Sequence, residues 1–194
     1  MGKFERIKTT LEDISIIRPT VFKDERGFFL ETYNRKEFAE VGINDEFVQD
    51  NVSHSAKGVV RGLHYQLKNA QGKLIQVLRG KIFDVVVDIR NGSPTYGHHL
   101  SIELTEMDQL MLQVPVGFAH GFMALEDATE VMYKVTDFYF PQYDAGIRWN
   151  DPNLHIPWPF TAYGIINPVV SSKDAVLPFL KDIISPFNYT GKRS

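Results

Sequence analysis

Strict alternation of apolar and polar side chains through the middle of the chain constrains its fold more than any other feature. In Phe83-Asp84-Val85-Val86-Val87-Asp88-Ile89, Phe83, Val85, Val87 and Ile89 share one face of an extended segment, and Asp84, Val86 and Asp88 share the other. This predicts a strand whose half-polar face is turned to a cavity or to solvent. Leu74 to Leu78 precedes it across Arg79-Gly80-Lys81, a short glycine-containing connection of the hairpin kind. Leu100 to Leu104 and Leu110 to Val114 repeat the pattern, and turn residues punctuate it at Asn91-Gly92-Ser93-Pro94, Thr105 to Asp108, Pro115-Val116-Gly117 and Glu126-Asp127. The spacing is that of an all-β sandwich or barrel.

Helix signals are few. Asn34 is placed as an N-cap with Glu37 three residues on, followed by Phe38 and Val41 and closed by Gly42. A second short helix is expected from Ser171 or Ser172 to Pro178, with Val176 and Leu177 as its apolar residues. The aromatic and proline-rich stretch from Phe138 to Phe160 reads as a long ordered excursion over the body of the domain. With 194 residues, 43% of them hydrophobic, and no linker or repeat, the chain is expected to form one domain over 1–194 with a short peripheral C-terminal tail from Asn188.

Charge narrows the partners. Lys and Arg number 21 against 24 Asp and Glu, a formal charge of −3, so no polybasic field exists to hold nucleic acid or an anionic membrane. The absence of Cys removes disulfides, thiolate metal sites and cysteine nucleophiles, which leaves catalysis to oxygen and nitrogen groups. Residues 1–8 lack the apolar core of a secretory signal, and every hydrophobic run is broken well short of the ~18 residues needed to span a bilayer, so a cytoplasmic location is expected.

Dinucleotide-binding, P-loop, zincin and serine-hydrolase signatures are all missing. Asp84 and Asp88 lie about 13 Å apart along a strand, too far for a glycosidase pair at about 5 to 9.5 Å. Two histidines have richer surroundings. Arg61, His64 and Gln66 cannot share a strand face unless a bulge intervenes at Gly62. His120 follows the turn at Pro115-Val116-Gly117 and enters the apolar run Phe122 to Leu125. Either histidine alone is more simply a core or rim residue, but Lys73, Tyr133 and Asp174 alongside them weaken that reading. Arg26, Arg61 and Lys73 could form a phosphate site or be three solvated charges. Tyr133 and Tyr139, six apart, share a face if the strand is regular.

Consecutive blocks then carry a resemblance. Asp24-Glu25-Arg26-Gly27-Phe28-Phe29-Leu30-Glu31, Phe47 to Ser53, Arg61 to Gln66, Gln71 to Leu74, Asp88-Ile89-Arg90, Gly92 to Thr95, Pro115 to Phe122, Tyr133-Lys134, Trp149 to Pro152 and Ser172-Lys173-Asp174 resemble, in order, the dTDP-4-dehydrorhamnose 3,5-epimerase family over residues 10–180. The resemblance implies a cupin-type double-sheet jelly roll with a few short helices, and a homodimer. Pro115-x-Gly117-x-x-His120 is similar to the second cupin motif, but the His-x-His of a metal-binding first motif is absent, since His98 and His99 are adjacent and on a strand would point apart. Neither metal nor cofactor is implied.

The implied activity is epimerisation at C3 and C5 of dTDP-4-dehydro-6-deoxy-D-glucose in dTDP-L-rhamnose biosynthesis. By resemblance His64 is the base, Asp174 orients its imidazole, Tyr133 is the acid, and Lys73 faces the sugar carbonyl oxygen. His120, paired with Asp84, borders the sugar. Arg26, Arg61, Gln49, Asp50 and Asn51 match the diphosphate and nucleoside positions, while Glu31, Lys173 and Tyr139 match residues around the deoxynucleoside, with Tyr139 stacking on thymine. Asp144 stands where many relatives carry Glu, one methylene longer. The segment Arg26 to Glu31 is expected to complete the partner's site, with Arg26, Phe28 and Leu30 on one strand face and Phe28 against a base. A single-carbon ketosugar epimerase and a non-catalytic sugar-nucleotide-binding cupin are the alternatives, and solvent deuterium incorporation separates an epimerase from the latter.

Overall fold

The computed structural model of the chain describes residues 2–191. Strands β1 (Phe4–Lys8) and β2 (Ser15–Pro19) are followed by a small hairpin, β3 (Phe22–Asp24) and β4 (Gly27–Phe29), and by helix α1 (Arg35–Glu40). Then come β5 (Gln49–Ser55), β6 (Val59–Gln66), β7 (Lys73–Arg79), β8 (Lys81–Asp88), β9 (His99–Thr105), β10 (Met111–Val114), β11 (Phe118–Ala124), β12 (Thr129–Val135) and β13 (Asp144–Gly146). A two-residue β14 (Val169–Val170) leads into helix α2 (Ser172–Ala175). The long strands form two sheets of mainly antiparallel strands, in the orders β1-β2-β10-β7-β12-β5 and β13-β6-β11-β8-β9, with β14 joined to β6 in parallel. This is a double-sheet jelly roll: the alternation predicts the all-β architecture, and the family resemblance implies the jelly roll.

Three apolar clusters organise the layers. Ile75, Val77, Leu112 and Val131 of the first sheet meet Ile82, Val86, Phe118 and Phe122 of the second between the sheets. Phe83, Val85, Val87 and Ile89 instead pack outward against Ile147, Leu154, Trp149, Trp158 and Phe160. The excursion from Phe138 to Phe160 is therefore ordered: β13 within it extends the second sheet, and Ile147 to Phe160 cover that sheet's outer side. On the far side of the first sheet, α1 lays Phe38 against Phe4, Ile17 and Leu74.

Burial of β8 on both faces corrects part of the sequence reading. Its polar face does not meet solvent: Asp84 and Asp88 are both 0% exposed. Asp88 receives two bonds from the Arg90 guanidinium, at 2.9 and 2.7 Å, and one each from Ser93 and Thr95. Arg90 also donates to Asp13 at 2.6 Å. Such a saturated cluster is structural, because a buried carboxylate is tolerable only when its lone pairs are engaged.

The connection Arg79-Gly80-Lys81 is not a hairpin. β7 pairs with β10 and β12, whereas β8 pairs with β9 and β11, so the turn carries the chain from one sheet to the other. Gly80 sits at φ +77°, and a Cβ there would lie 2.6 Å from Thr129 Oγ1. Alternation shows where strands lie, but the turn between two of them does not reveal whether they share a sheet.

Asn34 caps α1 as expected, its Oδ1 accepting from the Lys36 and Glu37 amides at 3.1 and 3.4 Å. Glu37 does not close a capping box; its carboxylate takes the Lys3 amide at 2.8 Å and ties the N-terminal strand to the helix. Helix α2 is shorter than expected, and Val176, its C-cap, is 74% exposed rather than packed. In the tail, Asn188 bridges to Asn91 and the Tyr189 ring lies 5.0 Å from the Arg90 guanidinium; residues 192–194 lie outside the described residues. Among the described residues no helix is long and apolar enough to cross a membrane.

Candidate active site

The bulge required to gather Arg61, His64 and Gln66 is present. His64 pairs with His120 and Arg61 with Phe122, so three steps on β6 answer two on β11. Gly62 takes φ +115° inside it, and a Cβ there would come within 2.6 Å of Gly121 Cα. The extra residue turns Arg61, His64 and Gln66 alike into a cavity of about 580 Å³ between the sheets.

Helix α2 brings the carboxylate to His64. Val169 and Val170 pair with Val59 and Val60, which anchors the chain beside β6, and Ser171 Oγ accepts the Asp174 amide at 3.0 Å as an N-cap. Asp174 Oδ1 then lies 2.7 Å from His64 Nε2, and Oδ2 accepts the Gly62 amide at 3.1 Å. Burial would raise the Asp174 pKa, but the bond and charge of His64, the Gly62 amide and the Lys173 charge together hold it below the ordinary carboxylate range. The carboxylate can only accept, so in the neutral imidazole Nε2 carries the proton and Nδ1 the lone pair.

Three further groups complete the chemistry. His120 Nε2 lies 2.8 Å from Asp84 Oδ2. Burial lowers the His120 pKa against the pull of Asp84, with Lys73 and His64 adding to the lowering, so its imidazole is neutral at neutral pH. Lys73, buried on β7, donates to the His64 carbonyl at 3.2 Å; desolvation brings its pKa down to about 8, with Asp84 and Asp144 opposing. Burial raises the Tyr133 pKa, Arg61 opposes and Asp144 adds, so the phenol keeps its proton. His64 and Tyr133 stand on different sheets with the cavity between them.

The cavity thus gathers His64, Lys73, Arg61, His120, Tyr133, Tyr139, Asp144, Lys173 and Asp174 from the expected set. Tyr139 lies beyond the end of β12 but still reaches it. Its hydroxyl donates to Asp144 at 3.0 Å, and Lys173 Nζ also donates to Asp144, so the shorter side chain is engaged at the mouth. Arg61 is held by Ser55 Oγ and the His54 carbonyl at 3.1 and 3.0 Å. Gln49 and Asn51 do not line the cavity; Gln49 donates to Asn51 at 2.9 Å and accepts the amide of the lining residue Tyr139 at 3.1 Å. Asp50 alternates to the opposite face of β5 and pairs with Lys134 at 2.8 Å.

Arg26, Phe28 and Glu31 are not brought to this cavity. The expected strand from Arg26 to Glu31 is only Gly27–Phe29, so Arg26 sits in the turn before it and does not share a strand face with Phe28 and Leu30. Arg26 is 83% exposed and paired with Asp24, while Glu31 pairs with Lys3 at 2.7 Å. Ser53, Gln71 and Phe122 also line the cavity and were not singled out in the sequence. Ser53 follows Gln49 and Asn51 at the same period of two, a signal sufficient to find it.

A jelly roll whose interior holds a histidine–carboxylate pair, a buried lysine and a protonated tyrosine defines a cupin-type acid–base isomerase. The model of the dTDP-4-dehydrorhamnose 3,5-epimerase family matches residues 8–182, and the chain belongs to that family. The family's members of the same name from Methanothermobacter thermautotrophicus and Shigella flexneri are 48% and 49% identical, covering 90% and 87% of this chain and 93% and 91% of theirs. The Legionella pneumophila enzyme, solved in complex with dTDP-4-keto-L-rhamnose, is 42% identical with a TM-score of 0.91, covering 97% of this chain and 100% of that one. A 3'-monoepimerase from Streptomyces bikiniensis superimposes with a TM-score of 0.83 at 28% identity, covering 90% of this chain and 87% of its own.

Proposed function

We propose that this chain epimerises C3 and C5 of dTDP-4-dehydro-6-deoxy-D-glucose to give dTDP-4-dehydro-L-rhamnose in dTDP-L-rhamnose biosynthesis, acting as one domain. The observation that carries the reading is that His64 and Tyr133 project from opposite sheets into one cavity. Inversion next to a ketone needs a base on one face of the sugar and an acid on the other, and two facing walls supply them. His64 Nδ1 takes the proton α to the C4 carbonyl, and Asp174 stabilises the imidazolium. The electron pair moves onto the carbonyl oxygen, where the Lys73 ammonium meets charge that is larger in the transition state than in the ground state. Tyr133 then donates its phenolic proton to carbon from the far face.

Arg61 and Lys173, both on the cavity wall, suit the diphosphate and nucleoside end of the ligand, and Tyr139 suits stacking on the base. The β3–β4 hairpin belongs, in this reading, to a homodimer in which Arg26, Phe28 and Glu31 complete the partner's site. Its support is composition: Phe28 and Phe29 are 59% and 66% exposed beside Arg26, an apolar surface of the kind that marks contact sites.

Likeness to a 3'-monoepimerase favours a second reading, action at one carbon only. Incubation with the ketosugar nucleotide in D2O, followed by NMR, tests both. Deuterium at C3 and C5 of the inverted product supports dual action; deuterium at one carbon supports the second reading, and none at either rejects the enzyme assignment.

A further inference from the structure

Ser53 lies on β5 with its hydroxyl oxygen buried and, among the described residues, without a hydrogen-bond partner. The other buried side-chain atoms in that state belong to Gln76, Asp84 and Gln113, and none of those residues lines the cavity, whereas Ser53 does. An enclosed hydroxyl with nothing to bond is costly, and Ala would fill the same strand position without that cost. Filling space therefore does not account for the serine.

Its place on the strand says what it can meet. Asn51, Ser53 and Ser55 share one face of β5 at intervals of about 7 Å. Asn51 is directly opposite Tyr133 on β12, and Ser55 Oγ accepts from Arg61 Nε at 3.1 Å. Ser53, opposite Val131, thus stands between the acid that serves the reacting carbons and the guanidinium suited to the diphosphate. In the sugar nucleotide the carbon between C3 and the phosphate-bearing C1 is C2, and its oxygen is a hydroxyl. A hydroxyl donates and accepts, as the serine does, while the ring oxygen between C5 and C1 only accepts.

We propose that Ser53 is a specificity-determining residue whose hydroxyl bonds the C2 hydroxyl of the ketosugar and selects substrates oxygenated at C2 over their 2-deoxy counterparts. Ser53 and Tyr133 stand on adjacent strands of one sheet, so the bond holds C3 in register with the phenol. A 2-deoxy sugar would leave the serine hydroxyl enclosed and unpaired, which is the stronger source of discrimination.

The inference rests on the epimerase reading, so solvent exchange by the wild-type protein is measured first, and its absence counts against that reading alone. Selection at C2 is then read by binding, which needs no turnover. Calorimetry compares wild type and Ser53→Ala with dTDP-6-deoxy-D-glucose, which has no ketone to enolise, and with its 2-deoxy counterpart. Ser53→Ala should weaken the first about tenfold and the second less than about twofold. Thermal unfolding of the two proteins without ligand is the second measurement. A hydroxyl without a partner adds nothing to the fold, so Ser53→Ala should melt at or above the wild-type temperature. Equal weakening of both ligands, or none of either, overturns the proposal. So does a lowered melting temperature, which would make Ser53 a residue of the fold.

Discussion

Gly62 and Gly121 face each other across β6 and β11 with no room for a side chain between them. A Cβ on Gly62 would lie 2.6 Å from Gly121 Cα, and one on Gly121 would lie 2.4 Å from the Arg61 carbonyl oxygen. This contact lets the bulge close tightly enough to turn both Arg61 and His64 into the cavity. Gly121→Ala should therefore force the strands apart, costing about 2 to 3 kcal/mol in denaturant titration and lowering exchange far more than nucleotide affinity. A fully active, equally stable Gly121→Ala protein would show that the close approach is not what sets the geometry.

Lys73 is held charged at a cost to the fold. Its folded pKa of about 8 lies below the ordinary 10.5, so the unfolded chain binds the extra proton between those values. Stability contributed through this group therefore rises as pH increases from about 8 to 10.5 and is penalised below. Lys73→Met should remove the penalty, raising stability at pH 7 by up to about 3 kcal/mol while abolishing exchange. Thermal unfolding at pH 7 and 10 reads both the gain and its disappearance.

The Asp174 carboxyl has the opposite linkage. Its folded pKa lies below 3.8, so its contribution is complete above that pH and is lost as pH falls through the lower folded value. Asp174→Asn should flatten this part of the acid-side fall in stability. It should also cut kcat by about 100-fold or more, because an amide cannot stabilise the imidazolium that forms at His64. Urea titrations at pH 3 and 6, with exchange rates alongside, test the two effects together.

Mixing Arg26→Ala with His64→Asn tests the shared site. If Arg26 serves the partner, a heterodimer holds one site with both residues intact and one with neither, and part of the lost activity returns. Subunits that exchange without restoring activity would place Arg26 outside the neighbouring site.

Much of the site was legible because its chemistry is tied to local pattern. The glycine at position 62 announced the bulge, and a cap serine at 171 precedes the carboxylate that the helix delivers. What the sequence hid were relationships between sheets. Gly80 looks like a hairpin turn yet links two layers, and Asp84, on an alternating face that could equally meet water, is enclosed because that face, shared with Val86, is turned inward towards the first sheet. The even spacing of Arg26 from Phe28 fits a strand, but the two-residue turn at Glu25 and Arg26 ends that periodicity one residue early.

The central claim is that His64 and Tyr133 act on opposite faces of the same sugar, and comparing their variants in D2O tests it most directly. His64→Asn should show no exchange at C3 or C5 while still binding dTDP. Tyr133→Phe should still release the α-proton to solvent but form inverted product at least about 100-fold more slowly. Wild-type exchange in His64→Asn, or wild-type product yield from Tyr133→Phe at matched exchange, would contradict the account.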